Sequence, residues 1–264
     1  IAAVANIYAV KGRPSFNPLI VHVSDRDMAD RYGVIPPEAE AFLKGEWPAG
    51  LTLVVKLRDD AGLSSLVTAG LQTVALRVPQ APIARALLSA FGGPVAAPSA
   101  NPSGRVSPTT AIHVLQGLGG KIAAVIDGGS TPQGLESTIL GFPGPVVLRE
   151  GAFAVADDLA RQTAGEDGPS APGQLVSHYA PNASIRLNAT DRRAGEWVLG
   201  FGSIDGDVSL SRDGDLAEAA ANLFACLHDA DARGVTRLAV APIPDTGLGR
   251  AINDRLRRAA APRD

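Results

Sequence analysis

The loop that organises this chain reads Ala97-Pro98-Ser99-Ala100-Asn101-Pro102-Ser103-Gly104-Arg105-Val106-Ser107-Pro108-Thr109. An apolar run before it and helical spacing after it predict a strand-to-helix connection. Ser107 followed by Pro108 is typical of a helix N-cap with proline at the first helical position, so we expect the helix to begin there. A helix N-terminus with nearby hydroxyls can bind phosphate, but the same residues also occur in ordinary capped turns. The loop alone leaves both interpretations open.

Apolar runs and helical patterns alternate on both sides of this loop. The patterns predict helices over 1–8, 37–43, 81–91 and 110–117, and strands over 19–23, 51–57, 73–78, 123–126, 137–140 and 146–149. Helices interspersed among strands indicate an α/β domain with a twisted mixed sheet, which we assign to residues 1–153.

The remainder of the chain divides into a linker and a second domain. Residues 154–183 lose the regular pattern and are rich in glycine and proline around 164–173, which predicts a linker. Beyond it, strands over 196–201 and 237–242 alternate with helices over 214–232 and 249–260. This β-α-β-α order predicts a small, Rossmann-like parallel α/β domain over 184–264.

Composition excludes several classes of protein. With a formal net charge of −3 over 264 residues, the chain lacks the basic surplus of a dedicated nucleic-acid binder. The one cysteine, Cys226, excludes disulfides and cysteine-based zinc sites, and its apolar surroundings predict a buried structural thiol. No apolar run approaches the roughly 20 residues of a membrane-spanning helix. Because the sequence begins at Ile1 inside a helical pattern and without methionine, we expect a further N-terminal segment.

Four basic residues suit an anionic ligand. Lys11 and Arg13 flank a glycine in a proline-fixed loop, where an arginine fork and a lysine point charge suit a polyphosphate. The same residues also occur in a solvent-exposed basic turn without a ligand. Arg77 lies within an apolar strand and needs an anionic partner if buried, either a structural acid or a substrate carboxylate. His22 lies between valines in a predicted strand, where it faces either a structural neighbour or a ligand.

Other motifs are weaker. No Ser/His/Asp order and no histidine pair with metal-ligand spacing stands out, so the sequence predicts neither a covalent nucleophile nor a protein-bound metal. Gly247-Leu248-Gly249-Arg250 lacks the third glycine of a dinucleotide-binding fingerprint, and we interpret it as a helix start.

Several of these segments, taken together and in order, resemble the YrdC-type family. They are Lys11-Gly12-Arg13-Pro14, Asn17-Pro18-Leu19-Ile20-Val21-His22, Trp47-Pro48 with Leu51-Thr52, Leu76-Arg77-Val78-Pro79, Pro98-Ser99-Ala100-Asn101-Pro102-Ser103-Gly104 and Glu136-Ser137-Thr138. The linker, the turn His178-Tyr179-Ala180-Pro181 and the segment 241–256 resemble the longer, two-domain form of the family. Each segment is weak alone, but the ordered set is specific and spans essentially the whole chain.

The resemblance implies a cytoplasmic nucleotidyltransferase that makes L-threonylcarbamoyl-AMP and pyrophosphate from L-threonine, bicarbonate or CO2, and ATP. It implies Mg2+ held with ATP, and transfer of the product to the enzymes that modify tRNA, without stable nucleic-acid binding or a membrane. Catalysis would rest on Lys11 and Arg13. ATP would contact Arg13, Asn17, Thr73, Ser99, Asn101, Ser107, Arg149, His178 and Tyr179. Threonine would contact His22, Arg77, Ala97 and Ser137.

The sequence departs from the family pattern at two places. The family's upstream Pro-Thr-Glu-Thr-x-Tyr-Gly segment, which contributes to the threonine site, is absent from this sequence, and Ala49-Gly50 replaces the usual Gly-Pro.

The linker over 154–183 is the expected lid, hinged near Gly165 and Gly173. The alternatives are an RNA-binding or ribosome-maturation module without turnover, and a carbamoyl-adenylate synthase that accepts another amine.

Overall fold

The structure is a computed structural model that describes residues 1–43, 47–163, 165 and 169–262. The chain forms two compact units, each built from two separate segments. The first contains Ile1–Pro98 and Glu136–Gln174, and the second contains Ser99–Leu135 and Leu175–Asp264. These units divide the chain differently from the expected domains, because residues 99–135 pack with the C-terminal sheet. They include all but the first two residues of the loop over 97–109, which we call the serine-rich loop. Within the expected linker, residues 164 and 166–168 lie outside the described residues.

The first unit is built on a mixed eight-stranded sheet. Its strands are β1 (Ile20–His22), β2 (Gly33–Val34), β3 (Leu51–Leu57), β4 (Thr73–Arg77), β5 (Val95–Ala96), β6 (Thr138–Gly141), β7 (Val146–Arg149) and β8 (Ala160–Arg161), in the order β5-β1-β4-β3-β6-β7-β8 with β2 paired to β3. Its helices are α1 (Ala2–Lys11), α2 (Arg26–Ala29), α3 (Glu40–Leu43, after a 3-10 turn at Pro37–Ala39), α4 (Ser65–Thr68) and α5 (Pro82–Phe91).

The strand directions bring five strand ends to one edge of this sheet. β1 and β4 are parallel, with His22 in register with Arg77. β3 runs antiparallel to β4 and parallel to β6, and β7 runs antiparallel to β6. The carboxyl ends of β1, β4 and β7 therefore lie at the same edge as the amino ends of β3 and β6.

The central strand β3 is covered on both faces. Leu51, Leu53 and Val55 belong to the main apolar cluster, whereas Val54 packs in a smaller cluster with Ile139 on the opposite face. This alternation follows from the two-residue period of a strand. It explains why β3 is an almost continuous apolar run, as expected for a strand buried on both faces.

The second unit contains a four-stranded parallel sheet. Its strands are β9 (Ser184–Arg186), β10 (Trp197–Gly200), β11 (Val208–Ser209) and β12 (Arg237–Val240), in the order β11-β10-β12-β9, and its helices are α6 (Ala111–Leu118), α7 (Leu216–Ala232) and α8 (Leu248–Ala260). Val106 is buried in its apolar core, and Leu135 packs against that core. Cys226 is buried there too, and burial raises the pKa of its thiol to about 11, which confirms a structural thiol.

Two local expectations are wrong. Residues 123–126 form no strand; Ile126 is 60% exposed, and this short alanine-rich run has no neighbouring strand to pair with. The helix after the serine-rich loop begins at Ala111 rather than at Pro108, because the Thr110 hydroxyl accepts from the His113 N–H and caps it. Ser107 therefore is not the N-cap. The predicted helix start at 247–250 is confirmed by α8, and none of the described helices has the length and apolar character needed to cross a membrane.

Candidate active site

The loop over residues 11–18, which we call the basic loop, begins at the end of α1. Gly12 ends the helix in the left-handed conformation at φ 60°, which glycine adopts without steric cost. Arg13 then folds back over the loop. Its Nε donates to the Asn17 backbone oxygen at 3.2 Å, and its Nη2 donates to Asn17 Oδ1 at 2.7 Å and to the Pro18 oxygen at 2.8 Å. Arg13 thus fixes the shape of residues 13–18.

Asn17 and Lys11 are the residues of this loop whose side chains suit a bound anion. Asn17 is 1% exposed, and its Nδ2 has no hydrogen-bond partner among the described residues. A buried amide donor left unpaired costs about 1–3 kcal/mol, which a ligand oxygen would recover. Burial lowers the pKa of the Lys11 ammonium to about 7, and the Arg13 guanidinium acts in the same direction. A bound anion would favour the charged form of Lys11 again.

A second cluster lies at the sheet edge where five strand ends meet. Ser137 precedes β6, and its hydroxyl lies 2.7 Å from the Thr52 hydroxyl at the start of β3. Arg149, the last residue of β7, donates from Nη2 to Ser137 Oγ at 3.1 Å and to the Ser137 backbone oxygen at 2.8 Å. Gly151 permits this arrangement, because a Cβ there would lie 2.4 Å from the Ser137 carbonyl carbon. All three polar side chains are buried.

His22 and Arg77 lie at the same edge, in register on β1 and β4. Within the described part of the chain, His22 Nδ1 and Arg77 Nε are buried without hydrogen-bond partners. Burial, followed by the proximity of Arg149, lowers the pKa of Arg77 to about 10, against the opposing effect of Glu136. Burial and the nearby Arg77 charge lower the pKa of His22 to about 3, so His22 is neutral at physiological pH. This edge combines buried positive charge with unused donors, which suits a carboxylate.

Two other predicted residues of the first unit lie elsewhere. Ala97 follows β5, and its N–H donates to the Ile20 oxygen at 3.0 Å, which places it beside β1. Thr73 begins β4, whereas Arg77 ends it. At ~3.3 Å per residue the two lie about 13 Å apart, so Thr73 is not part of the edge cluster.

The serine-rich loop is held by its own side chains and by two histidines of the second unit. Asn101 Nδ2 donates to the backbone oxygens of Arg105 at 2.8 Å and of Val106 at 3.1 Å. His228 Nε2 lies 3.1 Å from the backbone oxygen of Ser107. Because a carbonyl oxygen only accepts, His228 carries its proton on Nε2. Ser99, the remaining predicted contact in this loop, is half-buried.

The turn at His178 and Tyr179 packs against the same loop. The Ala180 N–H donates to the Gly104 oxygen at 2.9 Å, and Ala180 forms a parallel bridge with Arg105. Tyr179 has a left-handed backbone at φ 62°, which costs a bulky residue about 1–2 kcal/mol. Its ring is buried beneath Arg255, whose Cζ lies 5.1 Å from the ring centroid. Such packing offsets the strain and anchors the turn.

The structure thus groups the predicted residues into three places. One is the basic loop, one is the sheet edge, and the third is the serine-rich loop with the His-Tyr turn. Arg149, expected at ATP, lies with the residues expected at threonine. Sequence reasoning missed Thr52 as a site residue, although it occurs in the Leu51-Thr52 segment that marks the family. It also missed His228, for which the sequence carries no signal.

Comparisons with known proteins match both parts of the chain. Residues 1–151 match the Sua5, YciO and YrdC family model, described as "Telomere recombination", and residues 135–261 match the model described as "Threonylcarbamoyl-AMP synthase, C-terminal domain". A Bacillus subtilis (strain 168) protein named threonylcarbamoyl-AMP synthase is 40% identical over 295 residues, which cover 99% of this chain and 84% of that protein. A Pyrococcus abyssi protein of the same name is 36% identical over 290 residues, which cover 98% of this chain and 84% of that protein.

A solved structure agrees with the fold. The crystal structure of P. abyssi Sua5 complexed with L-threonine aligns with a TM-score of 0.89 at 34% identity, over 98% of this chain and 84% of that one. Fold, ordered motifs and full-length relatives agree, and the chain belongs to the Sua5, YciO and YrdC family in its two-domain, threonylcarbamoyl-AMP synthase form.

Proposed function

We propose that this protein makes L-threonylcarbamoyl-AMP and pyrophosphate from L-threonine, bicarbonate or CO2, and ATP. The observation that carries the proposal is the sheet edge of the first unit. There Arg77 keeps a buried Nε–H donor and His22 a buried Nδ1 atom that have no hydrogen-bond partners among the described residues, beside Ser137 and Arg149. An amino-acid carboxylate supplies the negative charge and the acceptor oxygens that these donors need.

The carboxylate of threonine then lies on Arg77, beside the Arg149 guanidinium that holds Ser137. The Ser137 hydroxyl, held by Thr52 and Arg149, provides a fixed donor or acceptor for the rest of the amino acid. His22 is neutral, so it contributes a hydrogen bond rather than a charge. Such a pocket selects a small polar amino acid by hydrogen bonding rather than by apolar area. The contact of Ala97 with threonine remains a prediction from the family resemblance.

We assign the phosphates of ATP to the basic loop, with Lys11 and Arg13 as the catalytic cations and Asn17 as an amide donor. The unpartnered Asn17 Nδ2 supports this assignment. The expected nucleotide contacts of Thr73, Ser99, Asn101, Ser107, Arg149, His178 and Tyr179 remain predictions from the family resemblance.

The chemistry needs no covalent protein nucleophile. The neutral amine of threonine adds to the carbon of CO2, one C=O π bond opens, and the nitrogen releases a proton to water, which leaves a carbamate. A carbamate oxygen then attacks the α-phosphorus of ATP, and the bond from that phosphorus to the bridging oxygen of pyrophosphate breaks. The residues of the chain orient the two anions and neutralise the charge that develops on the leaving pyrophosphate, which is the main contribution of protein groups in phosphoryl-type transfers.

Mg2+ accompanies ATP in this proposal. Over the ranges that the structure describes, no group of three or more His, Cys, Asp or Glu side chains could hold a metal ion. We therefore assign Mg2+ to phosphate oxygens and water, a coordination that this ion favours. We further propose that the product passes in the cytoplasm to the enzymes that transfer the threonylcarbamoyl group to tRNA.

Pyrophosphate release by the full-length gene product tests this function. With Mg-ATP and bicarbonate, we expect release that requires L-threonine and falls at least about tenfold with serine, valine or other amino acids. Release that ignores threonine would refute the substrate, and preference for another amine would identify a different carbamoyl-adenylate synthase. RNA binding without pyrophosphate release would favour a binding module instead.

Matched arginine variants locate the phosphate site. Arg13→Ala removes the guanidinium that holds the basic loop, so we expect pyrophosphate release to fall at least about a hundredfold. Arg85→Ala removes an exposed arginine of α5 in the same unit and should leave the rate within about twofold. Near-normal turnover of Arg13→Ala would exclude Arg13 from the site.

A further inference from the structure

A cavity in the second unit has no part in the proposed reaction. It lies at the carboxyl edge of the parallel sheet, between the segments that follow β9 and β12 and the inner side of α8, and its volume is about 240 Å3. Open parallel sheets bind their ligands outside the carboxyl ends of their strands. The position is therefore one where a ligand is expected on physical grounds.

Opposite charges line this cavity without pairing with each other. Arg257 on α8 is exposed, and it makes no hydrogen bond or ion pair with any residue in the described part of the chain. Asp245 lies in the loop after β12, and the amide of Asn253 donates to its Oδ1 at 3.2 Å and to the Ile243 oxygen at 3.0 Å. Asn253 thus fixes the carboxylate, while the other carboxylate oxygen makes no hydrogen bond or ion pair with a described residue.

The remaining wall of the cavity contains aliphatic side chains beside the amides of Asn188 and Asn253. Leu187 follows β9, Ile243 follows β12, and Leu256 lies on α8, each contributing to the cavity wall. Leu256 and Ile243 are also part of the buried core of this unit, so they form a rigid surface. The cavity combines one cation, one anion, two amide side chains and the edges of several aliphatic residues.

The geometry argues against a nucleotide in this cavity. The first N–H groups of α8 are used by the preceding loop, because Gly249 donates to the Thr246 oxygen at 2.8 Å and Arg250 donates to the Gly247 oxygen at 3.2 Å. The loop presses so close that a Cβ at Gly249 would lie 1.8 Å from the Pro244 oxygen. A phosphate would also face the Asp245 carboxylate. The volume lies below the roughly 300–1,000 Å3 of pockets for drug-sized ligands.

We propose that this cavity binds a free α-amino acid with an aliphatic side chain. Arg257 takes the carboxylate, Asp245 takes the ammonium group, and the side chain packs on Leu187, Ile243 and Leu256. A zwitterion of this size brings both charges at once, which neither a simple anion nor a simple amine does. This is a second amino-acid site, separate in sequence and structure from the residues assigned to the threonine substrate.

Calorimetric titration of the full-length protein tests the proposal. The probes are L-valine, L-leucine and L-isoleucine, with isovalerate and isoamylamine as analogues that carry one charge each. We expect at least one amino acid to bind saturably at millimolar concentration or below, and the single-charge analogues to bind at least about tenfold more weakly. Absence of saturable binding by every amino acid would overturn the proposal.

Three variants attribute the binding to this cavity. Arg257→Ala removes the cation, and Asp245→Asn removes the anion while keeping an oxygen for Asn253. Each should weaken binding at least about tenfold, whereas Arg212→Ala, at an exposed arginine outside the cavity lining, should not change it. All three should retain threonine-dependent pyrophosphate release, which separates this site from the proposed reaction. Binding that survives both cavity variants, or that needs Arg257 alone and extends to inorganic phosphate, would overturn the zwitterion site.

Discussion

Single side chains carry the charge and the hydrogen-bonding capacity on which the proposed chemistry depends. Asn17 is the clearest case, because its two amide atoms have different tasks. Oδ1 accepts from Arg13 at 2.7 Å, while Nδ2 is buried without a partner among the residues described. One atom holds the loop and the other is left for a ligand, so the two tasks can be separated by substitution.

Asn17→Asp should disrupt ATP binding without disrupting the loop. The aspartate keeps an oxygen for Arg13, but it replaces the amide donor by a negative charge that repels phosphate. We expect the KM for ATP to rise roughly tenfold or more, and the melting temperature to stay unchanged or to rise. Asn6→Asp adds the same charge at an exposed position of α1 and serves as the control. An unchanged KM for ATP would exclude Asn17 from the phosphate site.

Thr52→Val should act on threonine rather than on ATP. The variant keeps the buried shape but removes the hydroxyl that lies 2.7 Å from Ser137 Oγ. Loss of one buried hydrogen bond is worth about 1 kcal/mol, so we expect the KM for threonine to rise roughly fivefold and the KM for ATP to stay constant. Thr68→Val removes another buried hydroxyl, in α4, and should change neither constant. Equal changes in both constants would mean that Thr52 is only structural.

Site residues could be predicted from the sequence only where they occur in recognisable segments. Lys11, Arg13, His22 and Arg77 stand out because charged residues in fixed loops or apolar strands need partners. Their burial and their unpaired atoms could not be predicted, because these depend on which strands become neighbours. His228 lies more than a hundred residues from Ser107 in the chain, and only the folded packing brings the two together.

At the scale of elements, the serine-rich loop depends on a pair of stacked histidines. The rings of His113 and His228 lie 3.8 Å apart between centroids and are inclined by 16°. His113 Nδ1 accepts from the Thr109 N–H at 3.3 Å, which requires a neutral His113 ring, and His228 donates to the Ser107 oxygen. Burial lowers the pKa of both histidines below 6.5; the neighbouring His228 lowers that of His113 further, while the Ser107 oxygen and Asp231 partly oppose the shift of His228.

This pair should make the protein less stable in mild acid. Below pH 6.5 the unfolded chain binds protons that the folded rings resist, so the free energy of unfolding falls as the pH decreases from about 7 to 5. His228→Gln keeps an N–H donor for the Ser107 oxygen but does not titrate. Urea denaturation should therefore show a weaker dependence on pH for the variant than for the parent protein. Identical pH dependence would show that His228 binds protons equally well in the folded and unfolded states, which contradicts the lowered pKa of its buried ring.

A helix or strand can be predicted from the sequence when its own residues carry a clear pattern, and not when it depends on a neighbouring strand. The predicted strand over 51–57 is confirmed at both ends, because a mostly apolar run between Gly50 and the charged segment Arg58-Asp59-Asp60 leaves little ambiguity. The run at 123–126 has similar composition but no partner strand, and it is exposed. Short strands such as β9 and β11 have too few residues for a pattern, and they form because neighbouring strands supply their hydrogen bonds.

For the whole molecule, the most consequential feature is that each compact unit is assembled from two distant segments. The second unit includes residues 99–135, and Gly134 packs so tightly that a Cβ there would lie 2.3 Å from the Ala220 oxygen. The sequence predicts consecutive domains because composition changes only at the linker. It carries no signal that a central segment leaves one unit and joins the core of another.

A fragment of residues 184–264 should therefore fold poorly on its own. It contains the four-stranded sheet but lacks Val106, which is buried in the core of this unit, and Leu135, which packs against it. We expect a melting transition at least about 10 °C below that of the same unit in the full-length protein, or no cooperative transition. Calorimetry of the isolated fragment measures its melting temperature, and backbone NMR shows whether it adopts a folded structure. A native-like cooperative transition would contradict the interleaved assembly.

The most direct test of the proposed function is the identity of the product. The full-length protein is incubated with L-threonine, Mg-ATP and 13C-bicarbonate, and the adenylates are analysed by mass spectrometry. We predict threonylcarbamoyl-AMP that is heavier by one mass unit than the product made with unlabelled bicarbonate, formed in equal amount to pyrophosphate. Formation of pyrophosphate with AMP alone, or of an adenylate that carries no label, would contradict the proposed function.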